Sequence, residues 1–467
     1  MPNLSVKGSM PCPFRRQALP WLLVFFANAP VRSQSAVDPK LEGHRRMVGV
    51  LAELSEQAYR IDPIYGQNRL QELRRERAEV DDGTPKQTLL ALYPALALQE
   101  LIQGNNAEAL ELYESAYDLA KELPEKERPR SFVNLTFNLA VACLRFGESQ
   151  NCVARHTSQS CILPIEGSGR HAEPEGSRRA IGYLMEVLAM TEPNADTFLG
   201  ARWLLNIAHM TLGEWPDQVP AAYRIDPKVF ASDADFPCFH DVARELGVAG
   251  MTPAGGIAIE DFDGDGRFDL VVTTQDPKGQ MRFYHHRSDG GFEDRTEAAG
   301  LLGLVGGLNC SQADYDNDGD VDVLVLRGGW QLGNFGQYPK SLLQNQGPEH
   351  PGVFIDVTFT AGLGEFFYPS QTADWADYDL DGDLDLYVGN ETTANGPFPS
   401  QLFQNRGDGT FHDVAAAAGV KNMRMANGVS WGDIDGDRDP DLYISNYLDA
   451  NRLYLNRGDG TFVDVAT

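Results

Sequence analysis

The chain has 467 residues, more than one typical core holds and enough for two or three domains at about 150 residues each. Asp and Glu number 67 against 39 Lys and Arg, a formal charge of -28 that repels a phosphate backbone and argues against general nucleic-acid binding. With 42% hydrophobic residues, 16 Tyr and 23 Phe, the chain is too apolar for a disordered acidic polymer, so the charge decorates something folded.

Residues 1–36 read as a secretory signal. Lys7, Arg15 and Arg16 precede the apolar run "ALPWLLVFFANAPV" (Ala18–Val31), and Ala27-Asn28-Ala29 offers a small-x-small cleavage site. The competing readings are an uncleaved anchor or a start at Met10, but the run is short of the about 20 residues of a bilayer span. No later stretch is long enough to span, so the expected location is secreted, periplasmic or cell-surface, with no membrane span after cleavage. Five cysteines remain after such a cut: Cys143, Cys152, Cys161, Cys238 and Cys310. Export permits disulfides, and the odd number leaves one thiol over.

From 44 to 225 the apolar spacing is near 3.6 and predicts helices. "LALQELIQGNNAEALELYESAYDLAKELP" gives a helix, a break at Gly104-Asn105-Asn106, and a second helix with Ala109, Tyr113 and Ala116 on one face. "VNLTFNLAVACLRFGE", "SRRAIGYLMEVLAMTEPN" and "ARWLLNIAHMTLGEWP" repeat the theme, with Ala180 and Leu184 where Ala109 and Tyr113 stood. Cys143 takes a buried position in this pattern. The region resembles tetratricopeptide (TPR) repeats, whose hairpins stack because one hairpin cannot bury its own face. An ordinary helical bundle is the plainer alternative.

Residues 149–175 interrupt the helices with Cys152, His156, Cys161 and His171. Two Cys and two His can bind zinc, but the Cys-x3-His-x4-Cys-x9-His spacing matches no familiar zinc module. A Cys152–Cys161 disulfide is therefore the preferred expectation for this loop.

From 236 to 467 the sequence repeats itself. Acidic segments begin at Asp261 ("DFDGDGRFDLVV"), Asp314 ("DYDNDGDVDVLVL"), Asp377 ("DYDLDGDLDLYV") and Asp433 ("DIDGDRDPDLYI"), spaced by 53, 63 and 56 residues. Each is followed by a second phrase: "FYHHRSDGGFEDRT", "LLQNQGPEHPGVFIDVT", "LFQNRGDGTFHDVA" and "LYLNRGDGTFVDVA". Short strands at a 50–60-residue period predict β-propeller blades, about four of them. A calcium-loaded parallel β-helix would repeat at a much shorter interval. The last phrase stops short of its earlier copy, so the expectation is an incomplete propeller from a longer protein.

The acidic segments share the pattern DxDxDGxxD. A cation of calcium size takes six to eight oxygens, which alternating aspartates in a tight turn can supply while a glycine at position 6 permits positive φ. The expected ligands are Asp261, Asp263, Asp265 and Asp269; Asp314, Asp316, Asp318 and Asp322; Asp377, Asp379, Asp381 and Asp385; and Asp433, Asp435, Asp437 and Asp441. Asp383 lends only its carbonyl, because Arg267 holds the same place in the first loop. In the fourth loop Arg438 replaces the glycine, so that site is expected to be weaker or rearranged around Gly436. Self-repulsion in such a loop makes Ca2+ part of what folds it, and four ions would bring the formal charge from -28 to about -20.

These repeats resemble the FG-GAP/VCBS repeats of integrin α-subunits. The pairing of "DYDxDGDxDLYV" with "LFxNxGDGTFxDVAxxAG" further resembles the secreted ASPIC/UnbV, or cartilage acidic protein-like, family, over residues 236 to 467. The resemblance implies a seven-bladed calcium-binding propeller, an extracytoplasmic location and interaction with protein or glycan rather than catalysis. The alternative is a calcium-dependent polysaccharide hydrolase or lyase, which asks for one repeat with a unique base near its loop; His285 and His286 are the local candidates. Arg406-Gly407-Asp408 and Arg457-Gly458-Asp459 sit inside "NRGDGTF", where Gly-Asp-Gly forms a turn.

Overall fold

The computed structural model describes residues 38–466, except 62–66, 130, 158, 232–238, 240, 251, 331–335 and 394–395. The signal segment and Cys238 lie outside the described residues.

Seven helices come first: α1 (Pro39–Ile61), α2 (Asn68–Ala78), α3 (Lys86–Ile102), α4 (Asn106–Lys121), α5 (Phe132–Glu148), α6 (Glu175–Met190) and α7 (Asp196–Thr211). From α2 to α7 each helix packs chiefly on its neighbours in sequence. Their shared core is rich in small residues, with Ala97, Ala116, Ala140, Ala180, Ala201 and Ala208 fully buried beside Tyr113, Leu139, Leu184 and Leu205. At the α5–α6 contact a Cβ on Gly176 would lie 2.5 Å from the Cys143 carbonyl oxygen and 2.9 Å from the Gly147 Cα. Only glycine lets these two backbones approach so closely. Buried Glu100 accepts both Arg74 guanidinium bonds at 2.7 Å and one from Asn105, which ties α2 and the α3–α4 turn to the end of α3.

The β region is four antiparallel sheets, each with its strands in sequence order. They are β1–β4 (Ile257–Glu260, Asp269–Val272, Arg282–His286, Phe292–Asp294) and β5–β8 (Asn309–Ala313, Asp322–Leu326, Ser341–Asn345, Phe354–Asp356). After them come β9–β12 (Ser370–Ala376, Asp385–Asn390, Gln401–Asn405, Phe411–Asp413) and β13–β16 (Ala426–Gly432, Asp441–Asn446, Arg452–Asn456, Phe462–Asp464). A one-turn helix, α8 (Ala415–Ala418), follows β12. The first strands of successive sheets are neighbours, and each pair of adjacent sheets shares an apolar core.

Helix α1 supplies part of the first of these cores. Met47 and Leu51 are buried among Ala258, Phe262, Phe283 and Phe354. Around them the Lys40 ammonium donates to Gln344 at 2.7 Å, His44 Nδ1 accepts from the Asp356 amide at 3.0 Å, and the Tyr59 hydroxyl donates to Asp276 at 2.8 Å. Arg46 lies 3.9 Å over the Phe359 ring. Among the described residues no helix is long and apolar enough to cross a membrane.

Candidate metal centres

Each acidic segment is the loop between the first and second strands of a sheet. The register is the same in all four hairpins: Glu260 faces Asp269, Ala313 faces Asp322, Ala376 faces Asp385 and Gly432 faces Asp441. Position 9 therefore always stands opposite the residue just before position 1, which closes the loop on itself.

The carboxylates have separate tasks. Position 1 folds the loop: in the second, Asp314 accepts the Asp318 amide at 3.1 Å and the Gly319 amide at 3.0 Å, as Asp261 and Asp377 do in theirs. Position 5 turns to accept the position-7 amide, as Asp265, Asp318, Asp381 and Asp437 all do. Position 9 is buried, and in the last three loops it accepts two amides; Asp322 takes those of Asn345 at 2.8 Å and Tyr315 at 3.3 Å, whereas Asp269 takes that of His286 alone. One oxygen of position 3 stays buried without a partner in three loops: Oδ1 of Asp263, Asp316 and Asp379.

Ligand atoms of positions 1, 3 and 9 lie within 4.8 Å of one another in three clusters, Asp314/Asp316/Asp322, Asp377/Asp379/Asp385 and Asp433/Asp435/Asp441. The first loop differs, dividing into Asp261/Asp263/Asp265 and Asp263/Asp269/His285. Burial, with Asp316 and Asp318 adding to it, pushes the Asp322 carboxyl up to about 9. Burial likewise raises Asp385 to about 7 and Asp269 to about 6, each with neighbouring carboxylates adding. A bound cation could satisfy the orphaned oxygen and offset the burial that raises Asp269, Asp322 and Asp385, and the all-oxygen donor set of the later loops could hold a hard one.

Two positions in each loop have positive φ. At position 6 these are Gly266, Gly319, Gly382 and Arg438, and at position 4 Gly264, Asn317, Leu380 and Gly436. Arg438 thus keeps the course of the fourth loop at φ 82°, and the bonding shifts by one residue: Asp433 accepts from Gly436 and Arg438.

Sequence reasoning passed over five supporting residues in the second phrase. Gln344 and Gln404 each donate at 2.5 Å to the position-3 carboxylates Asp316 and Asp379. The asparagines that follow cross between sheets: Asn345 donates to the Phe262 carbonyl, Asn405 to that of Tyr315 and Asn456 to that of Tyr378, at 2.8–2.9 Å. Each position-2 aromatic also packs on the last strand of the next sheet, Phe262 on Phe354, Tyr315 on Phe411 and Tyr378 on Phe462. These three side chains are 2–4% exposed, whereas Ile434 in the fourth loop is 56% exposed. The recurrence of Gln-Asn was the available signal.

Both Arg-Gly-Asp copies are turns. Asp408 accepts from Thr410 and Asp459 from Thr461, while Asn405 and Asn456 accept the glycine amides. In the 149–175 insertion, Cys152 and Cys161 are free thiols, and burial with the adjacent Cys161 pushes Cys152 up to about 11. His171 Nε2 is 3.6 Å from the Cys152 sulfur, and His156 pairs with Asp241 at 2.7 Å. Cys152, Cys161 and His171 line a cavity of about 390 Å³ with Leu144, Trp203 and Ile207.

A family profile described as FG-GAP-like repeat matches residues 261–325, 377–444 and 433–467, and so takes in all four loops. Over 231 residues the chain is 27% identical to cartilage acidic protein 1 of Homo sapiens, covering 45% of this chain and 34% of that protein. The proteins of the same name in Mus musculus and Xenopus tropicalis are each 26% identical, over 231 and 227 residues. The chain thus spans about a third of the length of these relatives. Shared loops, shared register and this similarity lead to one statement of kinship: the chain carries FG-GAP-like repeats and is a relative of cartilage acidic protein 1.

Proposed function

We propose that this is a secreted calcium-binding repeat protein whose acidic loops hold Ca2+ ions that stabilise propeller blades, and whose surfaces engage a protein or glycan partner. The observation that carries the calcium reading is the partnerless buried oxygen of Asp263, Asp316 and Asp379, at the same place in three loops. Positions 1, 3 and 9 would hold the ion. A bound cation supplies the charge that lets the position-9 carboxylate ionise inside the fold. Four sequential four-stranded sheets joined through their first strands support the propeller, and helices that pack on their sequence neighbours support a TPR-like stack between 44 and 225.

Calorimetric titration of the purified chain with calcium, beside thermal melts with calcium and with chelator, tests the reading; a melting temperature indifferent to both refutes it. A glycan and protein array run with and without calcium tests the interaction role. The competing hydrolase or lyase reading has one point in its favour, the placement of His285 against a carboxylate cluster. His285 is only 6% exposed, however, and Asp269 is fully buried, which suits holding an ion better than meeting a polymer. Release of reducing ends from a polysaccharide panel would reverse that preference. We also assign Cys152 and Cys161 as a pair able to close a disulfide, checked by the mass change on alkylation before and after reduction.

A further inference from the structure

The first loop does not repeat the chemistry of the other three. Where the second and third sheets carry Gln344 and Gln404, the first carries His285, so an imidazole replaces an amide beside the position-3 carboxylate. His285 Nδ1 lies 3.0 Å from Asp263 Oδ2 and 3.3 Å from Asp269 Oδ1. It is 6% exposed, yet its Nδ1 has no hydrogen-bond partner. Asp269 Oδ2 is orphaned as well, whereas its counterparts on Asp322, Asp385 and Asp441 accept the amides of Tyr315, Tyr378 and Ile434. Three partnerless atoms, Asp263 Oδ1, Asp269 Oδ2 and His285 Nδ1, therefore belong to one buried cluster.

The rest of the loop is altered in the same sense. Arg267 pairs with Asp265 and donates to the His286 carbonyl, so a guanidinium already neutralises the carboxylate on the solvent side. The inner carboxylates gain no such partner. A hard cation gains little from imidazole, whereas a first-row transition ion binds it well. Bonds of about 2.0–2.2 Å at the tetrahedral angle, as zinc makes to nitrogen and oxygen, keep neighbouring ligand atoms roughly 3.3–3.6 Å apart. The 3.3 Å separation from Asp269 meets that range, and the 3.0 Å separation from Asp263 needs to open by a few tenths of an ångström.

We infer that Asp263, Asp269 and His285 form a mixed nitrogen and oxygen site selective for a zinc-like divalent ion, set apart from the oxygen-only loops of the later sheets. This rests on the reading of the loops as cation sites but asks a different question of one of them.

The test uses the purified chain carrying Cys152→Ser and Cys161→Ser, which keeps the thiol pair from supplying zinc. After chelator treatment it is titrated with Zn2+ in the presence of excess Ca2+, and separately with Co2+ as a spectroscopic substitute. The expected result is one equivalent of zinc that calcium does not displace, and a cobalt visible spectrum showing nitrogen ligation. His285→Gln, which installs the residue of the neighbouring sheets and should fold as they do, weakens zinc at least about tenfold and abolishes the cobalt band, with calcium binding in the second and third loops unchanged. Calcium binding without a zinc equivalent, or zinc binding unaltered in His285→Gln, overturns this inference alone and leaves His285 as a structural neighbour of Asp263. Absence of binding by any divalent ion overturns both it and the calcium reading.

Discussion

Asp322 offers a measurement of what the cation does for the fold. It is 1% exposed, it accepts the amides of Asn345 and Tyr315, and without a cation burial pushes it up to about 9. An unfolded carboxyl titrates near about 3.9. Because the folded value is the higher one, the fold binds this proton more tightly than the unfolded chain does. The contribution is complete below about pH 4 and is lost as pH rises toward 9, at about 1.4 kcal/mol per pH unit. Between pH 7 and 8 the chelator-treated protein should therefore lose about 1.4 kcal/mol through this group, a shift of a few degrees in Tm. Histidines 44, 171 and 209, held low by burial, act with the opposite sign, but their contribution is complete once pH exceeds about 6.5, below this window. In saturating calcium Asp322 stays ionised throughout, and its share of the slope should vanish. Asp322→Asn removes the titration, so the metal-free variant should be flatter than the metal-free wild type by the same amount. Equal losses in the two proteins between pH 7 and 8, or a slope that calcium leaves unchanged, would refute the reasoning.

Three further outcomes follow from the geometry. Asp385→Ala should lower calcium affinity and melting temperature together, since Asp385 is buried at position 9, while Asp383→Ala, which loses one exposed bond from Asn317, should cost less than about 1 kcal/mol by thermal melt. Arg438→Gly should relieve roughly 1 kcal/mol of left-handed strain, offset in part by unfolded-chain entropy, and should tighten calcium binding by the fourth loop in calorimetry. Gly176→Ala should destabilise the helical region by about 1–3 kcal/mol, whereas Gly182→Ala on the same helix, with nothing within 4 Å of its added Cβ, should stabilise it by up to about 1 kcal/mol; circular dichroism melts compare the two.

Much of this could be read from residue order, because the period and the DxDxDG pattern are local. The change from a 3.6-residue to a 2-residue apolar period separates the helices from the sheets, and the alternation of aspartates places positions 1, 3 and 9 in one loop. What escaped is long-range or independent of residue type. The left-handed turn at position 4 is held by Gly264 and Asn317 but also by Leu380, so composition carries only a faint trace of it. The Asn345 and Asn405 side chains bond carbonyls 83 and 90 residues away, and nothing in the phrase "LxQN" names those partners. The stripe Met47, Leu51 and Ala58 announces an amphipathic helix without saying whether helices or sheets cover it. His285 stood out as an odd residue in its repeat, yet its approach to Asp263 and Asp269 needed the strand register.

The asparagine and aromatic bridges between sheets have a consequence for how the molecule responds to scarce metal. On the calcium reading, a loop that tightens around an ion would also fix the position-2 ring and carbonyl on which the following sheet docks, so that filling one loop would prepare the next. Energetically the sheets would then behave as a row of nearest neighbours, in which losing an ion between two sheets divides the row. Calcium occupancy should accordingly rise more steeply with concentration than independent loops allow. Removing the Tyr315 ring should flatten that rise.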